Sequence, residues 1–229
     1  MTRDEPSGPA TPPTRARRLA VFGGAWIAFV AYALFAAPPD DPALTRALVH
    51  GTLTGDFGAV DPSIAAVFSA LGVVPLLAVA LLARRASRQR VPLWPFGAAM
   101  FALGAFALLP WLALLDDDDA RPAPPPAGPL RRALASRPVG WLIVVALVLL
   151  GAWAIHAGSG AAYAHAFRNT AMVHLMSIDA AVCTLLVHTF VEASRRGGDV
   201  QVEPAAARVI RFVPLLGAAM WNALVRRSP

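Results

Sequence analysis

The residues best suited to chemistry lie in one apolar segment, TAMVHLMSIDAAVCTLLVHTFVEA, which begins at Thr170. Asp179 lies near its middle, where an ionised carboxylate costs about 2.5–3.5 kcal/mol in a membrane and therefore needs a partner. It is either a proton or cation site or a hydrogen-bonded acid that fixes helix packing. We favour the second interpretation, because hydrogen bonds within membranes commonly serve assembly. No Arg lies in this or the preceding apolar segment, so the sequence predicts a neutral acid or pairing with His156 or His174.

Helical periodicity sorts the polar residues of this segment onto two faces. At about 100° per residue, Asp179 shares a face with Cys183. The other side carries four further polar residues: His174, Ser177, Thr184 and His188. A helix with two polar faces is expected to be surrounded by protein rather than by lipid.

The histidines raise the alternative of a cofactor. His174 and His188 are fourteen residues apart on one face, as in helices that ligate two stacked haems. Each haem needs a matching His on a partner helix, and the preceding apolar segment offers only His156. One bis-His haem is therefore geometrically allowed and two are not. We favour packed or interfacial histidines, and predict neither a cofactor nor a metal site.

The motifs of well-known enzyme classes are absent from the sequence. There is no Walker loop, HExxH, GxSxG or CxxC pattern. The acidic run from Asp116 to Asp119 lacks the Gly-turn spacing of a calcium loop. These absences lean against an enzyme.

Composition indicates that membrane-spanning helices position these residues. Hydrophobic residues make up 57% of the 229 residues and charged residues only 15%, against about 25% charged in soluble domains. About 20 apolar residues span a hydrocarbon core of about 30 Å. The sequence therefore predicts an all-α, multi-pass transmembrane bundle of five to six spans. The predicted spans are 19–37, 64–83, 91–115, 140–156, 170–191 and 209–224, the last being short.

Polar segments separate these spans. Residues 1–18 form a basic, Pro-rich tail that is predicted to be disordered. Residues 40–62 and the sequence GSGAAYAHAFRN are predicted loops, and residues 116–137 form a low-complexity connector. Trp94 and Trp111, near the two ends of the third span, are predicted to lie in the two aromatic belts of the bilayer.

Arginine residues set the predicted orientation. All 20 basic side chains are Arg, and they cluster beside apolar spans without a basic fold motif, so no nucleic acid is expected as a partner. The tail and the connector 84–90 hold eight Arg and the first loop holds one, which predicts a cytoplasmic N-terminus. Strict alternation then places six later Arg outside: Arg121, Arg131, Arg132, Arg137, Arg195 and Arg196. Either one span is misassigned or re-entrant, or the bias of the first half dominates.

Four stretches between residues 58 and 225 resemble the pattern of one protein family. They are DPSIAAVFSALGVVPLLAVALLAR, VPLWPFGAAMFALGAFALLPWLALL, MVHLMSIDAAVC and FVPLLGAAMWNAL. Together they resemble an uncharacterised family of small integral-membrane proteins of cyanobacteria and plastids, most specifically in the WPF…GAFALLP and HxMSxD patterns. Ala180 departs from the family pattern, in which a bulky aromatic residue follows the Asp. The resemblance implies no established activity, but it marks six residues as the first to test: Trp94, Pro95, Phe96, His174, Ser177 and Asp179.

Three functional hypotheses follow from the sequence. The first is a non-enzymatic scaffold or assembly partner in the bacterial cytoplasmic (inner) membrane, in contact with the lipid bilayer and with a membrane-protein partner or a second copy. The second is a small transporter or proton-coupled carrier that uses Asp179 with His174. The third is a haem-binding electron-transfer subunit.

Overall fold

The chain is folded as a bundle of helices. The computed structural model describes residues 14–86, 89–115, 133, 136–196 and 214–224. Within these residues there is no strand, and the first helix, α1, comprises Thr14–Arg18, a π-helical turn at Leu19–Gly23 and Gly24–Phe35. The later helices are α2 (Pro42–Thr54), α3 (Pro62–Ala86), α4 (Leu93–Leu103), α5 (Ala105–Ala113), α6 (Arg137–Ala157), α7 (Gly160–Asn169), α8 (Ala171–Arg196) and α9 (Pro214–Leu224).

Four helices of the described chain are long and apolar enough to cross a membrane. They lie at Arg15–Phe35 in α1, Pro62–Leu82 in α3, Arg137–Ala157 in α6 and Ala171–Val191 in α8. Each has 21 residues, and a helix of this length matches the hydrocarbon core of about 30 Å. The predicted transmembrane helical bundle is confirmed, and these four helices cover the predicted first, second, fourth and fifth spans.

The predicted third span, 91–115, is wrong as a single helix. The chain breaks at Gly104, whose φ of 48° and ψ of −123° suit glycine alone. After this break α5 runs back beside α4. The evidence is a hydrogen bond of 3.1 Å that the indole Nε1 of Trp111 donates to the Val91 carbonyl. Helices α4 and α5 therefore form a hairpin whose two ends lie at the same end of the bundle. Trp111 is fully buried, so its predicted place in an opposite aromatic belt is also wrong.

Helix α1 packs along the returning arm of this hairpin. The indole Nε1 of Trp26 donates to the Phe106 carbonyl at 3.0 Å, and the Phe29 and Phe106 rings stack at 4.0 Å. At the start of α1, Arg18 donates to the Leu115 carbonyl at 3.1 Å. These contacts place Gly104 and Phe106 deep in the bundle and Leu115 beside the beginning of α1.

Two segments predicted as loops contain short helices. Asp41 caps α2 by accepting from the Ala43 and Leu44 N–H groups at 2.9 and 3.2 Å, with Pro42 at the first helical position. Ser159 caps α7 by accepting from the Ala162 N–H at 3.2 Å. The loop predictions for 40–62 and for the segment before Thr170 were wrong because these capping signals lay in polar, Gly-containing sequence.

The ends of the bundle differ in composition. At one end, Pro39 accepts from the Ala171 N–H at 3.1 Å, and Asp61 accepts from the Ser159 N–H, 3.1 Å from Oδ2. This acidic end carries Asp40, Asp41, Asp56 and Asp61. The opposite, arginine end comprises residues 15–18, 84–86, 89–91, 113–115, 137 and 195–196.

Helix α9 packs against α6 and α8. Its last residue lies at the arginine end, where Arg137 donates to the Leu224 carbonyl at 3.3 Å. Gly140 permits this approach, because a Cβ there would meet the Ala223 backbone nitrogen at 2.7 Å. The described part of α9 has 11 residues, or about 16 Å of helix. Residues 209–213 of the predicted sixth span lie outside the described residues.

Candidate functional site

Asp179 closes the hairpin that α4 and α5 form. Its Oδ1 accepts a hydrogen bond of 2.7 Å from the N–H of Ala105, the first residue of α5. That N–H has no partner within its own helix, since the first four N–H groups of any helix lack one. The carboxylate is only 6% exposed, and it lies where the positive end of the helix dipole stabilises negative charge. Asp179 therefore acts as a distant N-cap for α5.

The turn at Gly104 is shaped by this carboxylate. A Cβ at Gly104 would overlap the Asp179 side chain, so only glycine leaves room for the carboxylate to reach the Ala105 N–H. On the same face of α8, the Cys183 thiol is 4.0 Å from Oδ2 of Asp179. The predicted sharing of one face by Asp179 and Cys183 is confirmed. The predicted pairing of Asp179 with His156 or His174 is wrong, because its near partners are a backbone N–H and a thiol.

His174 joins three helices near the acidic end. Its Nδ1 donates to the Phe167 carbonyl of α7 at 2.7 Å, since a carbonyl can only accept. In the neutral imidazole, Nε2 then accepts from the Tyr32 hydroxyl of α1 at 2.5 Å. The Phe167 ring lies 4.4 Å from the imidazole, between ring centres. Both ring nitrogens are thus engaged, and His174 connects α1, α7 and α8.

The structure does not bring His156 to His174. His156 is exposed near the end of α6, while both nitrogens of His174 bond to α1 and α7. The bis-His haem considered from the sequence would require His174 to give up one of these bonds. Among the described residues, no group of three His, Cys, Asp or Glu side chains is placed to hold a metal ion.

Ser177 belongs to a short hydrogen-bond chain. Its hydroxyl donates to the Val173 carbonyl at 2.6 Å, and it accepts from the Tyr163 hydroxyl at 2.6 Å. Because the Ser177 proton is already committed to Val173, Tyr163 is the donor of the second bond. This chain fixes α7 against α8.

A groove of about 460 Å³ runs along the face of α8 that carries Ser177. Helix α3 contributes Val67 and α7 contributes Tyr163, and the remaining lining comes from α8: Ser177, Ala180, Ala181, Thr184, Leu185 and His188. The predicted common face of Ser177, Thr184 and His188 is confirmed. Within the described part of this chain, no other helix covers this face of α8, because Leu185 at the groove is 62% exposed.

Trp94, Pro95 and Phe96 form the first turn of α4, at the arginine end. Trp94 is 76% exposed, Pro95 occupies a first-turn position where its missing N–H costs nothing, and Phe96 packs on the hydrophobic core. These residues start the hairpin whose far turn meets Asp179. The six residues that the sequence marked for testing therefore fall into four separate places.

The partners that matter most at the site were not among the predicted site residues. The Ala105 N–H is a backbone group without a sequence signature. Gly104 is a glycine inside the apolar run FALGAFALLP, and a glycine there is equally compatible with close packing of a continuous helix. Comparison with protein-family models, with curated proteins and with solved structures found no match to this chain. The resemblance to the cyanobacterial and plastid family stays a prediction.

Proposed function

We propose that this chain is a non-enzymatic membrane scaffold or assembly partner. The observation that carries the proposal is the hydrogen bond from the Ala105 N–H to Asp179. The acid that was the best candidate for a reactive group serves as an internal cap, and His174 and Ser177 also bond to neighbouring helices. The polar side chains at these positions support the shape of the bundle.

We further propose that the arginine end faces the cytoplasm of a bacterial cell. The α4–α5 hairpin supports this orientation, because the connector 116–136 leaves from Leu115 and returns at Arg137, both at the arginine end. Of the six Arg that strict alternation placed outside, Arg121, Arg131 and Arg132 fall in the connector, outside the described residues. With both ends of that connector at the arginine end, the positive-inside rule supports the proposed cytoplasmic N-terminus.

The substitution Asp179→Asn tests the scaffold proposal. Asn keeps a side-chain oxygen that can accept from the Ala105 N–H while removing the ionisable group. We expect a tagged Asn variant to retain the co-purifying membrane proteins, or the second copy, that the unmodified chain retains. Asp179→Ala, which removes the acceptor, is expected to lose them together with stability. A stable Asn variant that has lost its partners and its cellular function would refute the proposal.

A proton-coupled carrier is the second candidate, favoured by one observation. The break at Gly104 places a carboxylate at the start of a half-helix deep in the bundle, an arrangement also found in transporters with discontinuous helices. This hypothesis predicts proton flux in liposomes that contain the purified chain and a pH-sensitive dye. Asp179→Asn would abolish that flux, whereas a scaffold carries none in either form.

A further inference from the structure

The charges of the chain are divided unequally between the two ends of the bundle. Of the 20 Arg, 18 lie outside the acidic end and its short helices α2 and α7, whereas only nine of the 14 Asp and Glu lie outside that end and the bundle core. The residues left out of these counts are Arg46, Arg168, Asp40, Asp41, Asp56, Asp61 and Asp179. The remainder of the chain, which includes the arginine end, therefore has an excess of nine positive charges.

Several of these arginine side chains are accessible at the arginine end. Arg15 and Arg17 in the first turn of α1 are exposed, and so is Arg90 before α4. Arg18 is half-buried and donates to the Leu115 carbonyl at 3.1 Å, which fixes the first turn of α1 against the end of α5. None of the acidic side chains that the structure describes lies at this end. The exposed arginines thus form a positive surface.

Two exposed tryptophans place this surface at the level of the lipid head groups. Trp94 near the start of α4 is 76% exposed, and Trp141 near the start of α6 is 47% exposed. Both helices begin at the arginine end, and indole rings of membrane proteins concentrate at the boundary between hydrocarbon and water. Arg15 is also the first residue of the candidate span Arg15–Phe35. The first turn of α1 therefore lies beside the phosphate layer of the bilayer.

Aliphatic side chains continue the surface of α1 toward the bilayer core. Leu19 is 55% exposed and Val21 is 56% exposed. Leu19 follows Arg15 by four residues and Val21 follows Arg17 by four residues, so each aliphatic side chain lies next to an arginine along the helix. Positive charge at one level and exposed hydrocarbon at the next match the two parts of a phospholipid.

We propose that the first turns of α1 bind an anionic phospholipid. Its phosphate oxygens accept hydrogen bonds from Arg15 and Arg17, and an acyl chain lies along Leu19 and Val21. A guanidinium presents its N–H donors in a planar fork that fits phosphate oxygens. An anionic head group is favoured over a zwitterionic one, because a zwitterionic head group brings a cation of its own to a surface that is already positive.

The connector after Leu115 offers a second source of negative charge. It begins with the acidic run from Asp116 to Asp119, which lies outside the described residues. This run is already counted among the nine acidic residues, and an excess of nine positive charges remains. The acidic run therefore cannot neutralise the arginines as a set, and this charge balance favours the lipid as the partner of Arg15 and Arg17.

Photolabelling with two phospholipids tests this assignment. The purified full chain is placed in dioleoylphosphatidylcholine nanodiscs that contain a small fraction of phosphatidylglycerol with a diazirine in one acyl chain, and labelled peptides are found by mass spectrometry. We expect saturable labelling of residues 19–23, displaced by unlabelled dioleoylphosphatidylglycerol. Phosphatidylcholine with the same diazirine should label these residues far more weakly and without saturation. Both leaflets have the same composition, so the result does not depend on the orientation of the chain.

Matched pairs of arginine variants locate the contact. Arg15→Gln combined with Arg17→Gln should raise the phosphatidylglycerol fraction at half-saturation about tenfold or more, because each basic side chain near an anionic surface changes binding about fivefold. The control combines Arg46→Gln with Arg168→Gln, which removes two exposed arginines at the acidic end and should leave the labelling of α1 unchanged. Arg15→Lys combined with Arg17→Lys keeps both charges and should recover most of the binding, which separates charge from general effects on folding.

Ionic strength provides a test without substitutions. An increase from about 0.1 M to about 1 M shortens the Debye length from about 10 Å to about 3 Å. We expect this increase to weaken labelling by phosphatidylglycerol and to leave the weak labelling by phosphatidylcholine unchanged. Labelling of α1 that does not respond to salt would contradict a contact between arginine and phosphate.

Four further outcomes would overturn the assignment. Three of them are equal labelling by the two phospholipids, labelling of α1 that the Gln pair at positions 15 and 17 does not reduce, and an equal loss in the acidic-end control. The fourth is labelling that appears only after Asn replaces each of the residues Asp116 to Asp119, which would mean that the connector occupies the arginines. The result is separable from the scaffold proposal, because Asp179→Asn tests the contact between α8 and α5 and should leave lipid labelling intact.

Discussion

The two faces of α8 both carry polar residues but differ in how those residues are satisfied. We call the side of Asp179, Cys183 and Val187 the closed face, and the side of Ser177, Thr184 and His188 the open face. On the closed face the carboxylate bonds to α5 and is nearly inaccessible. On the open face a groove remains, and Nδ1 of His188 has no partner within the described residues. The comparison teaches that polar residues of one membrane helix can differ by face, because one face is bonded to another helix while the other borders a groove within the described chain.

The largest expected effect concerns the topology that the closed face imposes. In a Cys183→Ala background, single cysteines are introduced as Arg15→Cys, Asp56→Cys and Gly128→Cys and treated with a membrane-impermeant maleimide. Because the hairpin returns to its starting side, we expect position 128 to react from the same side as position 15 and from the side opposite to position 56. Gly128→Cys reacting together with Asp56→Cys would mean that the third segment crosses the membrane.

Gly104→Ala should be the most damaging single substitution on the closed face. It places a side chain at a φ of 48° and into the Asp179 carboxylate, for which we expect a loss of roughly 3 kcal/mol or more from strain and a broken cap. Thermal unfolding in detergent measures the change. Gly72→Ala is the matched control in α3, where a Cβ meets nothing within 4 Å and should stabilise by up to about 1 kcal/mol. Equal stability of the two variants would contradict the account of the turn.

Asp179→Ala should have an intermediate effect. Removal of the acceptor leaves the buried Ala105 N–H unbonded, which costs about 1–3 kcal/mol. Asp179→Asn keeps an oxygen in place and should lose less than half of that amount. Chemical or thermal unfolding of both variants in one detergent gives the difference, and an Asn variant as unstable as the Ala variant would show that the negative charge itself is required.

The smallest effect is expected for Leu185→Ala, and its comparison with Val187→Ala separates the two faces directly. Val187 on the closed face is 0% exposed, and Val187→Ala should destabilise the bundle by about 1–3 kcal/mol through the cavity it leaves. Leu185 lies at the groove and is 62% exposed, so Leu185→Ala should change stability by only about 0.5 kcal/mol or less. A Leu185→Ala variant as unstable as Val187→Ala would mean that the open face is packed in the native assembly.

The continuous spans could be predicted from the sequence, whereas the hairpin of α4 and α5 could not. The helices α1, α3, α6 and α8 follow from long uncharged runs, because length and hydropathy are sufficient to identify a crossing. The run 91–115 is equally apolar whether its two halves continue in line or fold back, so hydropathy contains no information on its direction. The conflict among the Arg positions was the one available signal, and it did not identify which span was re-entrant.

The sequence predicted those features of the site that lie within the single helix α8. The 3.6-residue period placed Asp179 with Cys183 and placed Ser177 with Thr184 and His188, because these relations are internal to α8. Their partners come from other elements, as with the Ala105 N–H and the Tyr163 hydroxyl. Such contacts depend on the direction of the hairpin and on the helical state of a segment that resembled a loop.

The cap of the hairpin is remote in the chain. Ala105 and Asp179 are separated by 74 residues, so a ribosome releases both hairpin arms long before it makes the residue that joins them. Until α8 enters the bilayer, the exposed N–H at the tip has no carboxylate to meet. Membrane entry of this late helix and locking of the earlier turn thus become a single step of biogenesis, and a chain truncated before residue 179 should fail to retain the hairpin.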